Sequence, residues 1–274
     1  MLADVLPFLE CPHCHADLTP AGPAVRCAEG HGFDVARQGY VSLLSGKASV
    51  AGDSADMVAA RAAFLDAGHY APIRRAVAGA AGTAGGCVAD LGAGTGHYLA
   101  AVLDAEPDRV GLALEISKPA LRRAARAHPR LGAVGCDAWG RLPVRDGAIS
   151  IALNVFAPRN PPELDRILAP DGVLVVVAPT TDHLAGLVAD LGLLTVAPDK
   201  AHRIAEQLAP AFLPSTQDVC EFELALSHGD VLSLVGMGPS AWHIGREASG
   251  ERVAALPEPV RTTASVVVTA FRRA

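Results

Sequence analysis

The sequence predicts an α/β fold, a mostly parallel sheet covered by helices on both faces, with a small metal-binding module ahead of it. Three observations carry that expectation. From about residue 86 the apolar runs "CVADLG", "VGLALE", "ISIALNVF" and "VLVVVAP" alternate with helix-patterned segments, as strands buried on both faces do. A glycine-rich turn, "DLGAGTGHY", follows the first of these strands. The N-terminal stretch "CPHCHADLTPAGPAVRCAEGH" spaces Cys11, Cys14, Cys27 and His31 as C-x2-C-x12-C-x3-H.

At 274 residues, with 50% hydrophobic and 19% charged, the chain can bury a full core beside a small appendage. No apolar run reaches the eighteen or so residues of a membrane span. The opening "MLADVLPFLE" is too short and too acidic for a secretion signal, so the expected compartment is the cytoplasm. Cys87, Cys136 and Cys220 are isolated in apolar surroundings and read as buried thiols rather than a disulfide framework. A net charge of -6 leaves little room for a broad basic surface. The densest positive segment is "SKPALRRAARAHPR", where Arg122 and Arg126 share a helix face.

In chain order, residues 1–44 read as the metal module, with "AVRC" and "YVSLL" as short strands. Residues 45–85 hold a small, polar linker, "SGKASVAGDS", and a helix capped by Asp53 or Ser54. Met57, Ala60, Phe64 and Leu65 stripe that helix, and Gly68 stops it. Residues 86–274 form the sheet domain, with helices expected near 97–104, 117–128, 161–169 and 183–191. "FELALSHGDVLSLVGMG" and "ASVVVTAFRR" are expected as two further edge strands.

Thiolate and imidazole in a closed set of four suit zinc in a structural role, because no position is left for a substrate. His13 and His15 are rival ligands, but His13 sits between the knuckle thiols, where a turn points it outward. In the glycine turn the arrangement is D-x-G-x-G-x-G, with Asp90, Gly92, Gly94 and Gly96, and His97 stands where a dinucleotide fingerprint wants a small residue. The Asp90 carboxylate suits the cationic amino-acid end of S-adenosylmethionine and repels a pyrophosphate. Glu115, ending the second strand, can accept from both ribose hydroxyls, and Asp137 can meet the adenine amino group. "NPPE" invites reading as a catalytic motif, but the fourth strand ends before it. Asn160 is instead expected as an N-cap with Glu163 as its reciprocal partner. Asn154, at the strand's carboxyl end, is the better candidate for a group facing cofactor and substrate.

With these residues in view, the sequence resembles the bacterial 23S rRNA guanine-N1 methyltransferases (RlmA-type), the family that includes tylosin- and mycinamicin-resistance enzymes. The likeness rests on "CPHC…C…GHGFDVARQGYVSLL", "GDSADMVAARAAFLDAGHYAPI", "DLGAGTGHY", "LEISKPALRRAARAHPR" and "LNVFAPRNPPEL". It implies a class I (Rossmann-like) methyltransferase sheet behind a zinc module that helps recognise an rRNA hairpin, and it allows a homodimer. It also implies cofactor contacts at Tyr70, Gly94, Thr95 and His183. Methylating guanine N1 requires an acceptor for its proton, and Asp53, Asp56, His69 and His183 are all available. The zinc module is expected to act as an RNA-facing lid, with the helix behind it delivering His69 and Tyr70 to the pocket. A small-molecule methyltransferase of secondary metabolism, drifted from the rRNA family, is the second reading and fits the acidic charge balance.

Overall fold

The structure, a computed structural model, describes residues 1–46, 51–238 and 246–274. Lys47, the lone base of the expected linker, lies outside them. Helix α1 (Leu2–Val5) and a 3-10 turn lead into a three-stranded antiparallel sheet of β1 (Leu18–Ala21), β2 (Ala24–Cys27) and β3 (Gly32–Asp34). β2 is the expected "AVRC" strand. The "YVSLL" strand, β4 (Val41–Ser42), leaves this small sheet and joins the main one in parallel, Val41 opposite Val134.

Two helices follow. Ser54 caps α2 (Ala55–Asp66), its hydroxyl accepting from the Met57 N–H at 3.2 Å, and α3 spans Ala71–Ala80. The alternating region then builds β5 (Gly86–Leu91), α4 (His97–Ala105), β6 (Arg109–Glu115), α5 (Lys118–Ala124) and β7 (Leu131–Gly135). It continues through β8 (Ile149–Val155), α6 (Pro161–Ile167), β9 (Leu168–Pro179), α7 (Ala185–Leu191) and α8 (Lys200–Leu208). β10 (Phe212–Leu226), α9 (His228–Gly236), α10 (Arg246–Ala254) and β11 (Val260–Arg273) complete the chain. The eight strands order as β10-β11-β9-β8-β5-β6-β7-β4, parallel from β9 through β4 and antiparallel at β11 and β10. The order reverses at β5, which lies between β6 and β8. In such sheets the crevice for a ligand opens beyond the carboxyl ends of the strands at that reversal.

Strand side chains alternate between two apolar layers, as a pleated sheet buried on both faces requires. Ile151, Leu153, Val173 and Val175 face the layer with Phe64, Tyr70 and Leu99, while Leu112, Leu114, Ala152 and Leu174 face the other. Val5, Leu6, Leu9 and Cys11 belong to that second layer, and a β-carbon at Gly132 would collide with Val5. The first forty-four residues therefore share a continuous core with the sheet and supply one of its strands, so they do not form a detachable lid. Beneath the other layer, the fully buried Arg109 guanidinium donates to the carbonyls of Ala81, Gly82, Ala84 and Val102. It satisfies orphan oxygens where α3 and α4 end, a role that pattern reading cannot foresee.

Two local expectations change. Only the first part of the tail segment is strand. "SHGDVLSLVGMG" folds as α9 because Ser227 and Asp230 form a reciprocal capping box, their hydroxyl and carboxylate bonded at 2.6 Å. At α6, Pro161 is the first helical residue as expected, but Asn160 makes no side-chain cap. Its amide donates to Ala138 and Gly140 carbonyls, and Glu163 accepts from the Leu142 N–H and pairs with Arg166. Partners across the fold outcompete the local box.

Candidate functional site

Two backbone turns assemble the metal centre. In the first, Cys11 accepts from the His15 N–H at 2.9 Å; in the second, Cys27 accepts from the Gly30 N–H and donates to the His31 carbonyl, both at 3.1 Å. The turns bring the Cys11, Cys14, Cys27 and His31 donor atoms all within 4.8 Å of one another. Cys14 and Cys27 sulfurs are 3.6 Å apart, and His31 Nδ1 lies 3.6 Å from Cys11 Sγ and 3.3 Å from Cys27 Sγ. A tetrahedron with Zn–S arms of about 2.3 Å has edges of about 3.8 Å, so the donor set fits zinc in a closed structural site. His13 stays outside it, stacked on Phe33 with centroids 5.8 Å apart, and His15 bonds Glu10 at 2.9 Å.

The module is fastened beside the crevice. The buried Glu10 carboxylate accepts from Arg141 Nε at 3.1 Å and Nη2 at 2.9 Å, and Arg145 Nε donates to the Leu9 carbonyl at 3.1 Å. Both arginines stand in the loop that follows Asp137 and Trp139.

At the reversal, one continuous cleft runs over the glycine turn. Its wider half, about 210 Å³, is lined by Gly52, Asp53, Glu115, Asp137, Trp139 and Pro158. The narrower half, about 40 Å³, holds Tyr70, Asp90, Ala93, His97, Tyr98 and Met237. Gly92 takes φ +74°, and a β-carbon there would come within 2.8 Å of the Ala157 β-carbon, so only glycine lets the turn meet the loop after β8. Glu115 Oε1 accepts from Ile116 and Ser117 N–H groups and Oε2 from Gly94 N–H, all at 2.8 Å. Three of its roughly four lone-pair directions are thereby filled, leaving one for a cofactor hydroxyl rather than the expected two. Asp137 Oδ1 accepts from the Trp139 N–H at 2.9 Å. Asp90 is 2% exposed, and burial, with the Glu115 charge second, pushes its carboxyl up to about 7.

The far end of the narrow half is closed by Tyr70, whose Oη lies 3.2 Å from His183 Nε2. Ser265 N–H donates to His183 Nδ1 at 3.2 Å, which leaves the proton of the neutral ring on Nε2, facing Tyr70. Burial holds His183 down to about 4, so the ring is neutral near pH 7. A more voluminous groove, about 940 Å³, lies among Gly82, Gly85, Ser150 and Asp171 at the opposite ends of the strands. Its lining includes none of Asp90, Glu115 and Asp137.

Comparison with known proteins agrees with both halves of this architecture. The family described as RlmA, N-terminal, a zinc ribbon, matches residues 9–48. Over 99% of both chains, the protein is 52% identical to the 23S rRNA (guanine(748)-N(1))-methyltransferase of Streptomyces fradiae. It is also 52% identical, again over 99% of both, to a Micromonospora griseorubida protein assigned guanine-N1 methylation of 23S rRNA. The chain belongs to the 23S rRNA guanine-N1 methyltransferase family. Among solved structures, a chain from the complex of the Haloferax volcanii Trm112 methyltransferase activator with a methyltransferase superposes with a TM-score of 0.55. That match is 18% identical and covers 82% of this chain and 99% of the other. The YcgJ protein of Bacillus subtilis gives a TM-score of 0.52 at 14% identity, covering 75% and 100%. These two similarities show the fold.

Within this methyltransferase frame most of the expected cofactor residues converge. Tyr70, Asp90, Gly92, Gly94, Glu115 and Asp137 line the cleft. Gly96 lies behind it with φ +80°, ending the turn where α4 begins. His183 meets the cleft through Tyr70. Asn154 is fully buried and does not line it: its amide donates to the Pro158 carbonyl at 2.7 Å and accepts from Arg159 at 3.1 Å, holding the loop after β8. Thr95 faces a separate groove of about 750 Å³ with Arg74, Arg122, Arg123, Arg126 and Asp66. Among the described residues, none of those four arginines makes an ion pair, so this groove concentrates positive charge on an acidic protein. His69 does not reach the pocket; its Nε2 lies 3.1 Å from Asp230 Oδ1.

Sequence reading missed Arg61 and Phe156. Arg61 lines both halves of the cleft, Nη2 donating to Asp53 at 2.6 Å and to the Met237 carbonyl at 2.9 Å, while its buried Nε has no partner. Its place on the striped helix hid it, because nothing in the stripe separates a solvated arginine from one turned inward.

Two outcomes are expected. Purified protein contains about one zinc per chain; Cys11→Ser releases it and lowers the melting temperature of the whole protein, because the module shares the sheet's core. Metal analysis and calorimetry check this. For Asp90 the folded-state value lies above the ordinary 3.8. Ligand-free protein therefore holds its stability below about pH 4 and loses it as pH rises toward 7. Asp90→Asn flattens that decline in melting scans, and weakens S-adenosylmethionine binding by about 1.5–3 kcal/mol by calorimetry.

Proposed function

We propose that this protein transfers the methyl group of S-adenosylmethionine to N1 of a guanine in 23S rRNA. One observation carries the reading: the 52% identity to the Streptomyces fradiae enzyme runs through the zinc module and the cleft alike, covering 99% of each chain. Bound S-adenosylmethionine supplies an electrophilic methyl on a sulfonium, and displacement in line with it asks chiefly for placement. Glu115 and Asp137 hold the adenosine end in the wide half, and Asp90 receives the cationic amino-acid end in the narrow half. Arg61, its Nε unpartnered, suits a carboxylate. As the N–C bond forms, the methyl's C–S bond breaks, S-adenosylhomocysteine leaves, and the guanine N1 proton passes to Asp53, directly or through water beside it. Of the four expected carboxylate and imidazole acceptors, Asp53 is the one that lines the cleft. His183 does not take it, because Nε2 is already protonated toward Tyr70; it orients the phenol.

The arginine groove suits RNA phosphates. In this reading residues 1–44 meet an rRNA hairpin and residues 86–274 carry out transfer, with the base drawn from its stack. No described helix is long and apolar enough to cross a membrane. A ribosomal substrate places the work in the cytoplasm, and the family resemblance to tylosin- and mycinamicin-resistance enzymes extends the proposal to macrolide resistance.

Incubating the protein with methyl-labelled cofactor and either 23S rRNA or a metabolite extract tests the reading. Label is expected in the rRNA alone, with transfer falling as salt rises. Label confined to small molecules returns the chain to secondary metabolism.

A further inference from the structure

The residue just beyond β8 does something the fold does not ask of it. Phe156 takes φ +53°, the left-handed region, which a bulky aromatic adopts only at a cost. It is also 41% exposed. The conformation is imposed from several sides. Its own N–H donates to the Val177 carbonyl at 3.3 Å, Asn154 ties the Pro158 carbonyl at 2.7 Å, and Ala157 is pressed against Gly92. A fold holding a ring this way at an energetic loss, and leaving it wet, gains nothing for its core.

The position explains the expense. Arg61, Gly92, Gly94, Val155 and Phe156 line both halves of the cleft and so mark their junction. The acids flanking that junction are Glu115 on one side and Asp90 on the other, the groups suited to the ribose and to the amino-acid end. Phe156 is the aromatic member of the five and the one exposed to solvent; Arg61 is engaged by Asp53 and Met237. Behind the ring stand Tyr70 and His183, centroids 6.5 and 6.0 Å away, tilted by 38° and 35°. Both are neutral near pH 7, since burial raises the Tyr70 phenol and lowers His183. An uncharged aromatic backing leaves the open face of the ring to a flat, neutral π-system.

We infer that Phe156 is the stacking face for the guanine drawn out of the rRNA, an inference that rests on the function proposed above. A ring fixed at the junction presents the base edge-on toward the site of transfer, and its rigid strain removes the need to order it when RNA arrives. Purine stacking on an aromatic side chain is sequence-tolerant, so guanine selection falls to other groups, and Phe156 contributes grip and orientation.

The test is a cycle of binding measurements with S-adenosylhomocysteine held at saturation. Its arms are a 23S rRNA hairpin that the wild type methylates and the same hairpin made abasic at the accepting guanine. The cost of unstacking cancels between wild type and variant on each hairpin. Phe156→Ala is expected to weaken the guanine hairpin about tenfold to a hundredfold and the abasic one hardly at all. Phe156→Tyr restores the difference. Phe156→Asn, whose short side chain suits the left-handed region, is expected to melt no lower than the wild type while behaving as Phe156→Ala in binding. Equal weakening of both hairpins, or none, overturns the inference, and so does a Phe156→Asn protein that melts well below the wild type. A wild type that methylates no 23S rRNA overturns the proposed function itself, and the inference with it.

Discussion

Three backbone N–H groups, those of Gly94, Ile116 and Ser117, point at the single carboxylate of Glu115. Charge-assisted bonds of this kind contribute about 1.5–3 kcal/mol each, so they fix the glycine turn after β5 against the loop after β6. The rest of the cleft hangs on that junction. Ser117 Oγ donates to the Asp53 carbonyl at 2.7 Å, and Gly52 is close enough that a β-carbon would sit 2.8 Å from the Ser117 backbone. Asp53 in turn holds Arg61, which packs back over Gly94. The chain of contacts returns to its start, enclosing the cleft from above. One acidic side chain at a strand end thus ties together the turn after β5, the loop after β6 and the segment from Gly52 to Arg61.

The zinc module joins this circuit from the other side. Four ligands on two tight turns give a fixed shape to a stretch too short for a core of its own. It is not left to stand alone: Val5 and Leu9 complete one face of the sheet, Val41 and Ser42 extend it, and Glu10 grips Arg141 just beyond Asp137 and Trp139. The module is therefore mechanically linked to the rim of the cleft's wider half. That linkage joins the zinc knuckle and the cleft in one packed body.

Much of this was legible in the residues. The ligand spacing alone named the four zinc donors, since thiol pairs on turns are local chemistry. The strands, the glycine turn and the acids at Asp90, Glu115 and Asp137 followed from period and position. Features set by tertiary partners were not legible. Asn160 looked like a helix cap but bonds two distant carbonyls, and Asn154 looked outward-facing yet holds its own loop. α9 reads as strand from its short apolar run, but the Ser227–Asp230 capping box starts a helix there. Arg109 and Arg61 turn inward onto distant carbonyls and the cleft, and no local pattern marks them. The positive φ of Phe156 leaves no mark in the sequence at all.

The account's central claim is chemical: an acidic protein with a guanine-sized task places a methyl on one ring nitrogen of one base class. Digesting the methylated 23S rRNA to nucleosides and identifying the product by mass spectrometry tests it most directly. The account predicts 1-methylguanosine as the labelled nucleoside, reduced about tenfold or more when Asp90→Asn or Glu115→Ala replaces the wild type at limiting cofactor. A methyl found on adenine, on cytosine, on ribose or on another guanine atom would contradict it.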